Sequence, residues 1–254
     1  MRTKAMAVVA ICASLAFCAS SQARQQRARE KDPKYQYNLG LFYLNQNDAE
    51  NAMKYFVMAL ALDTRYYLAW NAMGLAHSMR GRLDEAAKAY EKCLEINPQF
   101  SEAHNNLGTV YQEMNQMDKA EAEFRKALTD LTYQNRELPY FNLARLCVLQ
   151  NRLDEAMDNI QKSIQIKPRL AMAYNLRGQI YEKKNIIDDA VTSYEAAVRM
   201  VPDDVLFNYN LAVAYFKNGE YSRSKEYFLK VQSRITDPET KEALTRYLRL
   251  IGDR

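Results

Sequence analysis

The stretch "WNAMGLAHSMRGRLDEAAKAYEKCLEINP", residues 70–98, decides the fold, because each of its landmarks returns along the chain. Its opening, "WNAMGLAH" from residue 70, has counterparts in "YNLGLFY" from 37, "HNNLGTVY" from 104 and "YNLRGQIY" from 174. Gly40, Gly74 and Gly108 stand 34 residues apart, and Ala144, Gly178 and Ala212 continue the series of small residues. Farther on, Ala86 belongs with Ala52, Ala120, Ala156, Ala190 and Ser224, and Tyr90 with Phe56, Phe124, Ile160, Tyr194 and Phe228. Small residues on one helix and bulk on the next are what two closely packed antiparallel helices need. Between them stands Asn47, Gly81, Asn115, Asn151, Asn185 or Gly219, the two residue types that best tolerate the left-handed conformation ending a helix. Asp84, Asp118, Asp154 and Asp188 follow three residues later, placed to cap or favourably charge the next helix start. Pro98, Pro168 and Pro202 close the second helix.

A 34-residue period carrying this pattern is that of the tetratricopeptide helix-turn-helix. Six units follow, at 33–66, 67–100, 101–134, 137–170, 171–204 and 205–238, with a two-residue slip at 135–136 inside "LTDLTYQNRELPY". The slip predicts an inserted turn between the third and fourth units. After the sixth unit, Ala243, Leu244, Tyr247, Leu248 and Ile251 fall at helical spacing, so residues 239–254 predict a helix capping the array. The expected fold is all-α, a right-handed superhelical solenoid of six tetratricopeptide repeats with a C-terminal capping helix. Seven Gly and six Pro in 254 residues fit no turn-rich β protein.

Ahead of the repeats, Arg2 and Lys4 followed by the apolar run Ala5 to Phe17 form an export signal of about 13 apolar residues, short of the roughly 20 that span a bilayer. Two cuts are open. One lies before Cys18, in "LAFCAS", where Leu15 and Ala16 fit a lipoprotein signal and Phe17 does not; the other follows the small residues of "SQA", after Ala23. The layout behind Cys18 favours the first, giving a signal peptide at 1–17, a lipid on Cys18 and a flexible basic tether over 18–32. Ala19 is not the Asp that holds lipoproteins at the inner membrane, so an anchored form should reach the outer one. Loss of Arg2 and Lys4 leaves 33 Lys plus Arg against 31 Asp plus Glu, a balance that gives no reason to expect nucleic acid. The run "RQQRAREK" at 24–31 is a solvated linker or a contact for anionic head groups. Cys93 and Cys147 are too far apart in sequence, and too well placed for helix packing, to suggest a disulfide framework.

No catalytic or metal-binding constellation emerges, and no cofactor is expected. His77 and His104 occupy aromatic places of the repeat, and the paired carboxylates at 84, 154 and 188 recur at helix starts. What remains is the face lined by the first helix of each unit. Asn38, Asn71, Asn105, Asn106, Asn142, Asn175 and Asn210 put at least one amide there per repeat, suited either to the backbone of an extended peptide or to tying neighbouring helices together. Tyr37, Leu41, Leu44, Leu68, Leu75 and Met79 make the early part of this face apolar, whether as a protein-binding groove or as core. Gln112, Phe141 and Arg145 extend the candidate groove, and no paired basic clamp for a free carboxylate accompanies it.

An exported chain of six tetratricopeptide units behind a candidate lipid-site cysteine resembles the bacterial type IV pilus assembly lipoproteins, the pilotins of the pilus secretin. The slip "ALTDLTYQNRELPYFNLARL" is similar to that family's lengthened junction between its third and fourth units. The resemblance implies a non-enzymatic lipoprotein on the periplasmic face of the outer membrane that binds secretin subunits and promotes their assembly. A soluble periplasmic scaffold for another envelope protein has the same repeats and is the alternative.

Overall fold

The computed structural model describes residue 26 and residues 28–252. The expected signal segment, Cys18 and most of the tether lie outside the described residues. From Pro33 onward the chain is helical: α1 (Pro33–Asn45), α2 (Ala49–Leu62), α3 (Tyr67–Met79), α4 (Leu83–Ile96), α5 (Ser101–Glu113), α6 (Met117–Ala127), α7 (Glu137–Leu149), α8 (Leu153–Ile166), α9 (Ala171–Lys183), α10 (Ile187–Met200), α11 (Val205–Lys217), α12 (Tyr221–Gln232) and α13 (Pro238–Gly252). No helix among the described residues is long and apolar enough to cross a membrane.

Each hairpin turns by the same device. Asn47, Asn115, Asn151 and Asn185 adopt φ of 58–61°, and Gly81 and Gly219 adopt 68° and 80°. The next residue's N–H then reaches back to the carbonyl five residues earlier, as in Arg82 to His77 at 3.0 Å, Gln116 to Tyr111 at 2.8 Å and Ile186 to Tyr181 at 2.9 Å. This closes the helix end and sets the angle of the return. The Asp series works differently from a cap. Arg82, Arg152 and Ile186 hold the N-cap positions of α4, α8 and α10 without a side-chain bond, and Asp84, Asp154 and Asp188 sit inside the first turn. There their charge meets the positive helix end. Side-chain caps come from Asp32, Asp48 and Asp204, which accept from the N–H groups of Lys34, Asn51 and Phe207.

The described residues fall into two compact units, one running up to Glu123 and the other starting at Phe124. In the first, α1 pairs with α2 and α3 with α4, and α1, α3 and α5 also touch in succession. In the second, α7 pairs with α8, α9 with α10 and α11 with α12, and α7, α9 and α11 are likewise neighbours. Within each unit the first helices therefore share one side, the inner face.

The pairing rests on the small-on-aromatic contacts. A Cβ on Gly40 would lie 2.3 Å from the Phe56 ring, on Gly74 2.7 Å from Tyr90 and on Gly178 2.6 Å from Tyr194. Those rings, with Phe124, Ile160 and Phe228, are almost wholly buried, and each contributes about 2–3 kcal/mol by leaving water. In the sixth repeat Ser224 takes the small place, and its buried hydroxyl donates to the Ala212 carbonyl at 2.8 Å. Between α6 and α7, residues 128–136 form an irregular turn. The Asp130 side chain there accepts from the Thr132 N–H at 2.8 Å, and that carboxyl is held below its usual range by the Thr132 hydroxyl and N–H. At the far end α13 lays Leu244, Tyr247, Leu248 and Ile251 over the last repeat, with Tyr247 stacked 5.2 Å from Phe228.

Candidate functional site

On the inner face of the first unit, the predicted groove residues divide into core and surface. Leu44 is buried, and Leu41 and Tyr37 pack against the same cluster. The Tyr37 ring meets Tyr66 edge-on at 5.4 Å and lies 6.0 Å from Phe56. Burial, then the nearby Tyr66 and Glu102, pushes its phenol up to about 12. Leu68 is half-buried, and Leu75 and Met79 are exposed, so the open apolar surface is narrower than the sequence pattern suggests. Asn38 is exposed, and Asn106 and Gln112 are half-buried.

The amides are brought together in pairs. Asn106 Nδ2 donates to Asn71 Oδ1 at 3.4 Å, and Asn71 Nδ2 donates to Glu102 Oε1 at 3.1 Å. In the second unit Asn210 Nδ2 donates to Asn175 Oδ1 at 2.9 Å. Asn71, Asn105, Asn142 and Asn175 are all buried. These bonds join the first helix of one repeat to the first helix of the next, so much of the amide capacity is used in aligning repeats. Asn175 differs from Asn71 at one point: Leu206 stands where Glu102 stands in the third repeat, and its side chain is 55% exposed.

Elsewhere in the second unit, Phe141 packs against the core of the fourth and fifth repeats and Arg145 is half-buried. Leu149 is exposed. Gln179, Glu182, Lys183 and Lys217 line a polar cavity of about 300 Å³. Glu182 organises it by accepting from Lys217 Nζ at 2.5 Å and from the Tyr194 hydroxyl at 2.8 Å. Tyr209 and Phe216 turn partly into the C-terminal packing, against Phe228 and against Tyr221 and Tyr247.

The two histidines differ in their surroundings. His104 is buried, with Nδ1 2.5 Å from Glu123 Oε2 and Nε2 2.9 Å from the Pro98 carbonyl. Both ring nitrogens are engaged by protein groups, so neither is open to a substrate. His77 is half-buried, and burial lowers its imidazole below the ordinary value. No group of His, Cys, Asp and Glu among the described residues is arranged to hold a metal ion. The buried Cys93 thiol is pushed up to about 12, mainly by burial, which leaves little reactive thiolate. Glu102 and Glu123 escaped the sequence reading. They stand 31 residues from Asn71 and 19 residues from His104, spacings that a search at the 34-residue period does not display.

Paired helices closed by left-handed turns, stacked through amide pairs and offering a shared inner face, define a helical-repeat interaction scaffold. Residues 103–231, just over half of the chain, match the family described as the C-terminal ARM domain of tetratricopeptide repeat protein 21, and residues 33–66 and 67–100 each match a tetratricopeptide repeat. The chain belongs to the tetratricopeptide-repeat family, whose fold serves protein–protein interaction. It is similar to human protein O-mannosyl-transferase TMTC1, 27% identical over 116 residues, covering 44% of this chain and 13% of that protein. The chain thus spans a small fraction of that relative's length. Among solved structures it is similar to Pseudomonas aeruginosa PilF, with a TM-score of 0.78 and 16% identity over 86% of this chain and 99% of that one. It is also similar to PilW, described as a widely conserved type IV pilus biogenesis factor, with a TM-score of 0.77 and 20% identity over 84% and 98% of the two chains.

Proposed function

We propose that the protein is a non-enzymatic lipoprotein of the outer membrane's periplasmic face that binds unassembled secretin subunits and promotes their localisation and multimerisation in type IV pilus biogenesis. The observation that supports this reading is the match in fold to nearly the whole of PilF and PilW, one of them described as a pilus biogenesis factor. In this reading a lipid on Cys18 holds the array at the membrane. The inner faces take an extended segment of the subunit: Leu68, Leu75 and Met79 supply open apolar contact, and the aligned first helices supply a surface that needs no reordering on binding.

Affinity capture from envelope extract, followed by identification of the bound proteins, tests the partner; absence of any secretin refutes it. Leu75→Glu and Met79→Glu test the face. Both side chains are exposed, so the variants fold, whereas Tyr37 and Leu41 are partly in the core. Capture unchanged by both substitutions removes the groove. The alternative of a soluble periplasmic scaffold is favoured by one observation, the bulk of Phe17 beside small residues at Ser21 and Ala23. Mass spectrometry of the mature N-terminus separates them: an acylated Cys18 supports the anchor, and an unmodified start at Arg24 supports the soluble form.

A further inference from the structure

The outward face of α2 is unlike those of the other second helices. Where α4 carries Glu91, Lys92 and Glu95, and α8 carries Gln161, Lys162 and Gln165, α2 carries Val57, Met58 and Ala61. All three are exposed, Val57 by 57%. A contact that seals the groove between repeats is missing at the same place. The Tyr111 hydroxyl donates to Glu91 Oε1 at 2.7 Å between the second and third repeats, and the Tyr215 hydroxyl to Glu195 Oε1 at 2.5 Å between the fifth and sixth. Between the first and second repeats those two places hold His77 and Val57. An apolar cleft of about 510 Å³ stands open there, lined by Met53, Val57, Leu60, Trp70, Met73 and His77. His77 Nδ1 is buried beside it with no hydrogen-bond partner among the described residues.

We propose that this face docks a second copy of the chain, α2 against α2, antiparallel across a two-fold axis. The charges around the apolar centre select that occupant and that orientation. Glu50 and Lys54 lie on the exposed face before the centre, and Asp63 and Arg65 follow it, all four exposed. Antiparallel pairing centred on Met58 sets Lys54 beside Asp63 of the partner subunit and Glu50 beside Arg65 of the partner subunit, and the two-fold repeats both pairs. A parallel arrangement would set like charges together. This association is separate from the inner faces and leaves them free.

The test uses the full chain, produced as two differently tagged copies, with Met58→Cys and mild oxidation. Residue 58 faces its own counterpart across the axis, so a disulfide-linked product carrying both tags forms. The unaltered chain and Leu229→Cys, exposed on α12, give none above background. Lys54→Glu lowers the yield roughly fivefold through two like-charge contacts, and adding Asp63→Lys restores it. Equal linking at 58 and 229, or no product with both tags, overturns the proposal. Linking of the Met58→Cys variant, through its introduced thiol, to a protein of another mass gives the face to a different partner. Protection of that thiol by phosphatidylglycerol vesicles without self-linking gives the face to a bilayer, and either result overturns the proposal too. An unchanged yield in Lys54→Glu overturns the antiparallel register.

Discussion

Gly74→Ala measures how far close helix approach, rather than helix propensity, sets the stability of a repeat. An added Cβ would stand 2.7 Å from Tyr90 Cε1 and 2.8 Å from Cδ1 and Cζ, where carbon atoms prefer about 3.5–4.0 Å. The Tyr90 ring is 1% exposed and has nowhere to swing. Overpacking of this kind costs about 1–3 kcal/mol, and the helix gains up to about 1 kcal/mol from Ala over Gly, so a net loss of about 1–2 kcal/mol is expected. The sixth repeat combines Ala212 with Phe228, so a slight parting of α3 and α4 can absorb a methyl, which keeps the cost within this range. The fourth repeat supplies the rescue, since Ala144 and Ile160 occupy the two places and both are fully buried. On a Tyr90→Ile background Gly74→Ala should be neutral or stabilising by up to about 1 kcal/mol, a coupling of about 2 kcal/mol. Urea unfolding followed by far-UV circular dichroism gives each corner of the cycle. The fluorescence of Trp70, the chain's single tryptophan, reports the second repeat directly. A cost for Gly74→Ala that agrees in both backgrounds to within about 0.5 kcal/mol refutes the reasoning.

Two further outcomes follow from the turns and from His77. Replacing Asn47, Asn115, Asn151 or Asn185 with Ala should cost about 1 kcal/mol each, and with Gly nothing or slightly less than nothing, because all four adopt positive φ; equal effects of Ala and Gly in urea unfolding would contradict this. Burial lowers the His77 imidazole below its ordinary 6.5, so its contribution is present above that pH and is lost as the pH falls through its folded value. Wild type should therefore lose more stability between about pH 7.5 and pH 5 than His77→Phe does, and equal losses count against it.

The helices were legible because a period of 34 imposes one local requirement six times. Gly81 alone is a weak turn signal; Gly81 in register with four Asn and Gly219 is a strong one, and every member adopts the left-handed conformation. The cap assignments read less well for a local reason. An Asp three residues past the left-handed turn looks like a capping residue, but the helix starts one residue before it, at Leu83, Leu153 and Ile187. Only in the first repeat does an acid, Asp48, directly follow the turn and cap through its side chain. Burial of the groove was illegible for a different reason: Tyr37 and Leu41 share a helix face with exposed residues, and only the neighbouring Phe56 and Tyr66 rings decide that they pack inward.

The amides carry the argument one step further. Their partners stand 35 residues apart, one more than the period, as in Asn71 with Asn106 and Asn175 with Asn210. A search at the period itself aligns each Asn with its own kind and hides the partner. Once paired, an Asn oxygen is spent on the next repeat, and what distinguishes one site from another is the amide N–H that remains. In Asn71 that N–H goes to Glu102. Beside Asn175 of the fifth repeat the place of that carboxylate, in the sixth repeat, is held by exposed Leu206, an apolar side chain that accepts no hydrogen bond. Two inner faces built from one repeat pattern thus differ in chemistry at this place, with an acid over the amide in the first unit and an exposed apolar side chain in the second.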